Sequence, residues 1–195
     1  MTTSLRVGIA DDEAPVRAAL EKMICALGHE VAFLASSGTN LVRECGATRP
    51  DLVITDIRMP DMDGLDAAKS IYQDVPTPII LLSGFTDREL IERAQENHVL
   101  AYLVKPIGQP QLEAAIVLVM RRFGELRALE EEATDLRQAL ANRKMIERAK
   151  GLVMKHWNVD EPEAFRRLQK LASSKNKKLI EIAEMILTAA EALGG

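Results

Sequence analysis

Apolar residues in the first half of the chain form short continuous runs between polar segments. The runs cover residues 5–10, 31–35, 52–55, 78–83 and 101–104. Short apolar runs ended by polar residues are typical of strands that are buried on both faces of a parallel sheet. Helical periodicity lies between them, at 16–27, 41–48, 65–73 and 87–96. This alternation predicts an α/β fold with a doubly wound, five-stranded parallel sheet.

A long helix is predicted after this half. Residues 111–155 contain no proline and only two glycines, and apolar residues recur there in steps of three and four: Leu126, Leu129, Ala133, Leu136 and Leu140. Such a seam favours a dimerising coiled-coil helix, which we expect over 111–145. An amphipathic helix packed on its own domain would show the same pattern.

Residues 143–195 are predicted to form three helices. The first contains the stretch MIERAKGLVMKHW, and the second is expected to begin after Asp160, which caps a turn containing Pro162 and Glu163. The predicted buried faces are Ile146, Ala149, Leu152, Val153 and Trp157; Phe165, Leu168, Leu171 and Ala172; and Leu179, Ile182, Ala183, Ile186 and Leu187. We expect Trp157 and Phe165 to lie in the core. Gly151 costs its helix roughly 1 kcal/mol relative to alanine, so either close helix packing or the approach of a partner should explain it.

Composition and charge limit the possible classes of protein. No apolar run approaches the roughly 20 residues of a membrane helix, and the N-terminus lacks the pattern of a signal peptide. Cys25 and Cys45 have no CxxC or histidine neighbours, which favours reduced cysteines in a cytoplasmic protein. Residues 1–142 hold 14 basic and 22 acidic residues, whereas 143–195 hold 11 and 7. The basic second part is therefore a candidate for contact with a polyanion.

Polar side chains follow the predicted strands of the first half. Asp11 and Asp12 follow the first strand, Asp56 the third, Ser83 the fourth and Lys105 the fifth. The carboxyl ends of parallel strands share one edge of the sheet, so these groups should converge. Three close carboxylates favour bound Mg²⁺, and a carboxylate beside this metal, a lysine and a hydroxyl can accept a phosphoryl group.

The segments IADDE, TDIRMPDMDG, LLSG and YLVKP resemble the receiver domains of two-component response regulators, and we expect such a domain over 1–122. The resemblance implies a flavodoxin-like fold, a sensor histidine kinase as partner, and Asp56 as phosphoacceptor. It also implies an Mg²⁺ site with Asp11, Asp12, Asp56 and the carbonyl of Arg58. Ser83, Lys105 and Tyr102 would bind the phosphoryl group or switch with it. The bond between Lys105 and Pro106 is expected to be cis, and no enzymatic turnover of an external substrate is expected.

The segments IERAKGLVM, EAFRRLQKLA and NKKLIEIAEMIL resemble the ANTAR domain of antitermination regulators, which we expect over 134–195. This resemblance implies a three-helix all-α output domain that binds hairpin RNA as a dimer. The candidate RNA-binding residues are Lys144, Arg148, Lys150, Gly151, Lys155, Arg167, Lys175, Asn176 and Lys177. Asn176 could contact a base edge or cap a helix.

We therefore predict a response regulator that controls gene expression by transcription antitermination. The alternative is a DNA-binding response-regulator transcription factor, since three basic helices also occur in helix-turn-helix domains. A third hypothesis is a phosphate-relay or protein-interaction regulator that binds no nucleic acid.

Overall fold

A computed structural model describes residues 4–84 and 99–193. The chain divides into two compact units, residues 1–127 and 128–195. The first contains β1 (Arg6–Ala10), β2 (Glu30–Ala35), β3 (Leu52–Asp56), β4 (Ile79–Ser83) and β5 (Ala101–Val104). All four neighbouring pairs are parallel, in the order β2-β1-β3-β4-β5. The predicted five-stranded parallel sheet is confirmed, and each strand ends within one residue of its expected limit.

Among the described residues, three helices connect strands of the first unit: α1 (Ala14–Ala26), α2 (Gly38–Thr48) and α3 (Gly64–Asp74). Side-chain caps fix the starting points of α2 and α3. The Ser37 hydroxyl accepts a hydrogen bond from the first turn of α2, and the Asp63 carboxylate accepts one of 2.7 Å from the Asp66 N–H in α3. These bonds satisfy amides that have no partner within the helix. The helix expected at 87–96 lies outside the described residues.

A long helix, α4 (Gln109–Trp157), follows β5 and confirms the predicted uninterrupted helix. The division between the two units falls within it. Its first turns belong to the core of the first unit, where Leu112 and Val119 are fully buried. None of the described helices has an apolar stretch long enough to cross a bilayer.

Two apolar clusters cover the two faces of the sheet. One includes Ala10 and Val53 together with residues of α2 and α3, and the other includes Ile9 and Ile54 together with residues of α1 and α4. Neighbouring strand residues thus enter opposite clusters, as the alternation of side chains along a strand requires. Both faces of the central strands are buried, which explains why their apolar runs are continuous.

The second unit contains the end of α4, α5 (Glu161–Lys175) and α6 (Leu179–Leu193). The carboxylate of Asp160 accepts a hydrogen bond of 3.0 Å from the Glu163 N–H, which confirms the predicted cap. Asn176 ends α5 in a left-handed conformation with φ of 51°. The buried core of this unit is small, and its members come from all three helices: Ala149, Val153, Ala164, Leu168, Ala172, Ile182, Ala183 and Leu187.

The prediction that Trp157 and Phe165 lie in the core is wrong. Trp157 is 52% exposed and Phe165 is 37% exposed. Trp157 is the last residue of α4, and Asn158 then turns the chain with φ of 49°. Val159 packs against the apolar cluster instead. A helical pattern extended to the final residue fails here because the chain changes direction at that point.

Candidate functional site

Polar groups converge at the carboxyl edge of the sheet. Asp56 ends β3, Ser83 ends β4, and Asp11 and Lys105 directly follow β1 and β5. A cavity of about 250 Å³ lies at this edge. Its described lining residues come from strand ends and the loops that follow them: Asp12, Glu13, Asp56, Ile57, Arg58, Ser83, Gly84 and Lys105. Parallel pairing of the strands therefore brings together groups that are up to 94 residues apart, as in the bond between Lys105 and Asp11.

Lys105 joins two carboxylates at the cavity. Its Nζ atom lies 2.7 Å from Asp11 Oδ2 and 2.8 Å from Asp56 Oδ1. Burial alone would lower the pKa of Lys105, but the hydrogen bonds to Asp11 and Asp56 outweigh it and raise the pKa. Burial raises the pKa of Asp56, and the contact with Lys105 only partly offsets this effect. The lysine thus holds two buried acidic groups that would otherwise repel each other.

Backbone groups fix the orientation of the same carboxylates. The Glu13 N–H donates to Asp11 Oδ1 at 3.0 Å, and the Arg58 N–H donates to Asp56 Oδ2 at 3.0 Å. The Arg17 guanidinium donates to the Asp11 carbonyl at 2.6 Å. All four carboxylate oxygens of Asp11 and Asp56 therefore have a hydrogen-bond donor. These contacts fix the orientation of both carboxylates.

A group of acidic side chains at the end of β1 could hold a divalent cation. One carboxylate oxygen each from Asp11, Asp12 and Glu13 lie within 4.8 Å of one another. Ligands that are all oxygen suit Mg²⁺, and bound waters complete its coordination. Three members of the predicted metal set line the cavity: Asp12, Asp56 and Arg58. The fourth, Asp11, is fully buried behind the cavity wall and contacts Lys105, which lines the cavity. Glu13 was not among the predicted metal ligands, although it directly follows the aspartate pair.

The two predicted switch residues occupy different surroundings. Ser83 is buried in the cavity wall, and its carbonyl accepts a bond of 2.7 Å from the Lys105 N–H. Tyr102 packs against the apolar cluster of α2 and α3 and is not among the described residues that line the cavity. The peptide bond between Lys105 and Pro106 is cis, as expected.

Gly64 is a positioning residue that the sequence analysis did not identify. A Cβ atom at this position would collide with the carbonyl oxygen of Asp56. The Gly64 N–H also donates to the Ile57 carbonyl at 2.8 Å. The glycine lets the start of α3 approach the end of β3, which carries Asp56. Gly64 is the last residue of the segment DMDG, and a glycine at this point in the sequence could have indicated the close approach.

The second unit presents several candidate RNA-binding residues to solvent. The exposed ones are Lys144, Arg148, Gly151, Lys155, Arg167, Lys175, Asn176 and Lys177. Some take part in surface ion pairs, such as Arg148 with Glu191 at 3.8 Å and Arg167 with Glu163 at 3.0 Å. Exposed pairs of this kind contribute little stability, so their cations remain available to a polyanion. Asn176 has the role of a helix cap.

Lys150 differs from the other candidate cations because it is only 7% exposed. Its Nζ atom lies 2.6 Å from Glu147 Oε2 and 2.7 Å from Glu161 Oε1. The hydrogen bonds to Glu147 and Glu161 raise the pKa of Lys150. The ammonium links α4 to the start of α5, and its pairing with two glutamates argues against the predicted contact with RNA.

Gly151 has open space around it. No described atom lies within 4 Å of the position that a Cβ would occupy there. Close packing against another helix of this chain therefore does not explain the glycine. Of the two explanations considered for Gly151, the approach of an external partner is the one that agrees with this open space.

The sheet, the acidic cavity and the helical second unit define a response regulator. The chain matches the response regulator receiver domain over residues 7–117 and the ANTAR domain over residues 134–187. It belongs to the family of response regulators with a receiver domain and an ANTAR domain. A receiver implies a histidine kinase as partner and an acidic Mg²⁺ site, and an ANTAR domain implies RNA binding.

Named relatives agree with this assignment. The chain is 41% identical over 182 residues to the transcriptional regulatory protein PdtaR of Mycobacterium tuberculosis, covering 93% of this chain and 89% of that one. It is 37% identical over 129 residues to the transcriptional regulatory protein AfsQ1 of Streptomyces coelicolor, covering 65% and 53%.

Solved structures resemble the receiver part. The response regulator domain of Thermotoga maritima CheB is 27% identical with a TM-score of 0.57, covering 61% of this chain and 98% of that one. A receiver domain protein from Clostridium thermocellum is 29% identical with a TM-score of 0.58, covering 62% and 98%.

Proposed function

We propose that this protein is a cytoplasmic response regulator that is phosphorylated on Asp56 and acts as a transcription antiterminator. In this proposal the receiver spans 1–122, the dimerising helix spans 111–145 and the RNA-binding domain spans 134–195. A sensor histidine kinase supplies the phosphoryl group. The phosphorylated protein binds hairpin RNA as a homodimer and prevents formation of a terminator.

The contact of Lys105 with both Asp11 and Asp56 is the single observation that carries the phosphorylation step. An oxygen of Asp56 forms the new bond to phosphorus as the bond between phosphorus and the kinase histidine breaks. The Lys105 ammonium lies 2.8 Å from Asp56 Oδ1, so it can stabilise the negative charge on the oxygens of the transferred phosphoryl group. The ion pair with Asp11 holds the lysine in this position. Ser83, in the same cavity wall, supplies a hydroxyl to the phosphoryl group.

The acidic groups beside Asp56 would hold Mg²⁺. Asp11, Asp12 and Asp56 offer carboxylates, Arg58 offers its carbonyl, and Glu13 is a neighbouring acidic group. When bound, the metal neutralises negative charge on the phosphoryl oxygens. Tyr102 would change its packing when Ser83 moves toward the phosphoryl group, and this change would alter the surface of the receiver.

Exposure of the leucine seam supports a homodimer. Leu129, Leu136 and Leu140 are each 60% or more exposed. A second copy of the same helix would cover them in a coiled coil. Phosphorylation would favour this dimer by changing the receiver surface that restrains α4.

Basic side chains of the second unit support RNA as the ligand. Lys144, Arg148, Lys155, Lys175 and Lys177 are exposed and could neutralise phosphates. Gly151 would allow the RNA backbone to approach α4 closely.

A competition experiment tests the function. A labelled RNA with two hairpins is bound to the full chain with acetyl phosphate and Mg²⁺, and unlabelled RNA or duplex DNA is then added at fixed salt. We expect RNA to compete and DNA to fail. Preferential competition by DNA would identify a DNA-binding regulator, and no salt-dependent binding of either would contradict the proposal. Asp56→Asn should abolish the dependence of dimerisation on the phosphodonor.

A further inference from the structure

The single tryptophan of the chain lies at the surface of the second unit. Trp157 is 52% exposed although the indole ring is large and mostly apolar. The Cζ atom of Arg167 lies 5.8 Å from the centroid of the indole, and the His156 ring meets it edge-on with centroids 4.9 Å apart. An exposed indole beside a guanidinium combines two groups on which nucleic-acid bases stack.

Trp157 also forms part of the wall of a groove between α4 and α6. The groove has a volume of about 590 Å³. Its described lining is largely apolar: Leu152, Val153, Lys155, His156, Trp157, Ile186, Ala189 and Ala190. Arg167 comes from α5 and is not among these residues, so α4, α5 and α6 all contribute to the surroundings of the indole.

We propose that an unpaired loop base of the RNA stacks on the indole of Trp157 and enters this groove. The inference rests on the proposed function, because it names the part of the RNA that this surface would bind. Paired bases cannot reach an indole in this way, whereas the bases of a small hairpin loop can turn outward. The guanidinium of Arg167, which extends from α5, would stack on the base or donate a hydrogen bond to it.

Charge and space around the groove fit a nucleic acid better than an apolar peptide. Lys155 lies in the groove wall and is exposed, so its ammonium can contact the phosphate of the stacked nucleotide. Gly151 lies one helical turn before Lys155, with open space where a side chain would be. The sugar-phosphate backbone can therefore pass along this side of α4.

Fluorescence of the intact protein tests the proposal, because Trp157 is its only tryptophan. The probe is a fluorescein-labelled two-hairpin RNA, selected on the full-length protein from a pool with randomised loop bases. The control RNA has the same stems joined without loops. Stacking should quench the emission of Trp157 along the same saturation curve as the anisotropy of the probe.

The affinities of three variants for the looped RNA are compared with that of the original protein. Trp157→Ala should weaken binding of the looped RNA by roughly 5- to 150-fold, which is the usual effect of removing an aromatic ring that stacks on a base. Trp157→Phe should retain most of the affinity. Met185→Ala, which alters another exposed apolar side chain of the unit, should bind like the original protein, and circular dichroism should show all three to be folded.

The outcomes separate this inference from the proposed function. Saturable RNA binding without a change in emission, together with Trp157→Ala binding within twofold of the original, would overturn the stacking role and leave RNA binding intact. Equal quenching by the control RNA without loops would also overturn it. A pool from which the protein retains no RNA would overturn both proposals.

Discussion

Replacement of Leu136 and Leu140 by alanine tests the proposed dimer directly. These side chains are 60% and 61% exposed in the single chain, so their contribution to the fold of one copy is small. Alanine has the highest helix propensity, so α4 should persist in the variant. A loss of dimerisation would therefore report the contact between two copies.

The size of the effect follows from the exposed surface. Full burial of a leucine is worth roughly 1.5–3 kcal/mol, so covering the exposed three-fifths is worth about 1–2 kcal/mol. Two leucines in each of two chains give about 4–8 kcal/mol, of which alanine retains a part. A remaining loss of about 3 kcal/mol or more raises the dissociation constant of the dimer at least about 100-fold.

Sedimentation equilibrium of the phosphodonor-treated protein measures this constant over a range of concentrations. Gln138→Ala is the matched control, because it changes an exposed residue of the same helical turn on the side opposite the seam. The control should dimerise normally. An unchanged dissociation constant in the leucine variant, or an equal loss in the control, would refute the assignment of this seam to the dimer.

Three further predictions concern the stability, the thiols and the cations of the protein. Burial raises the pKa of Asp56, so its charged form destabilises the metal-free fold above that pKa. Asp56→Asn should then raise the melting temperature at pH 7, and this gain should vanish as the pH falls and the carboxylate is protonated; a gain that is constant with pH would contradict the argument. Burial, with a smaller effect of the neighbouring Glu44, raises the pKa of Cys45 to about 12. A thiol reagent should therefore label the exposed Cys25 in the native protein and Cys45 only after unfolding, and peptide mass spectrometry would identify the labelled cysteine. Lys150→Met should lower the melting temperature and leave the salt dependence of RNA binding unchanged, whereas Lys155→Met should reduce the slope of log affinity against log salt by roughly one.

Most of the receiver site could be predicted because its residues stand at or directly after the ends of parallel strands. Once the apolar runs are assigned to parallel strands, the residue after each strand must lie at one edge. This rule alone places Asp11, Asp56, Ser83 and Lys105 together. It does not show that Lys105 contacts both carboxylates, since that contact depends on side-chain orientation and burial.

The second unit was harder to predict because its core is small and its helices are short. Periodicity identified Val153, Leu168 and Ile182 correctly, since they lie within helices. It failed for Trp157 at the end of α4, where the chain turns. The partner of Lys150 in α5 also depends on that turn, because it brings Glu161 back to a helix that ended four residues earlier.

The sequence by itself determined the alternation of strands and helices, the long helix with its leucine seam, and the acidic and basic halves of the chain. These features are local patterns, and a helix or strand of given periodicity has only one face to bury. Only the tertiary structure decided which charged groups are buried in pairs, which aromatic ring remains exposed, and whether Gly151 is covered. These outcomes depend on contacts between residues that a turn or a sheet edge brings together, and local patterns carry no information on such contacts.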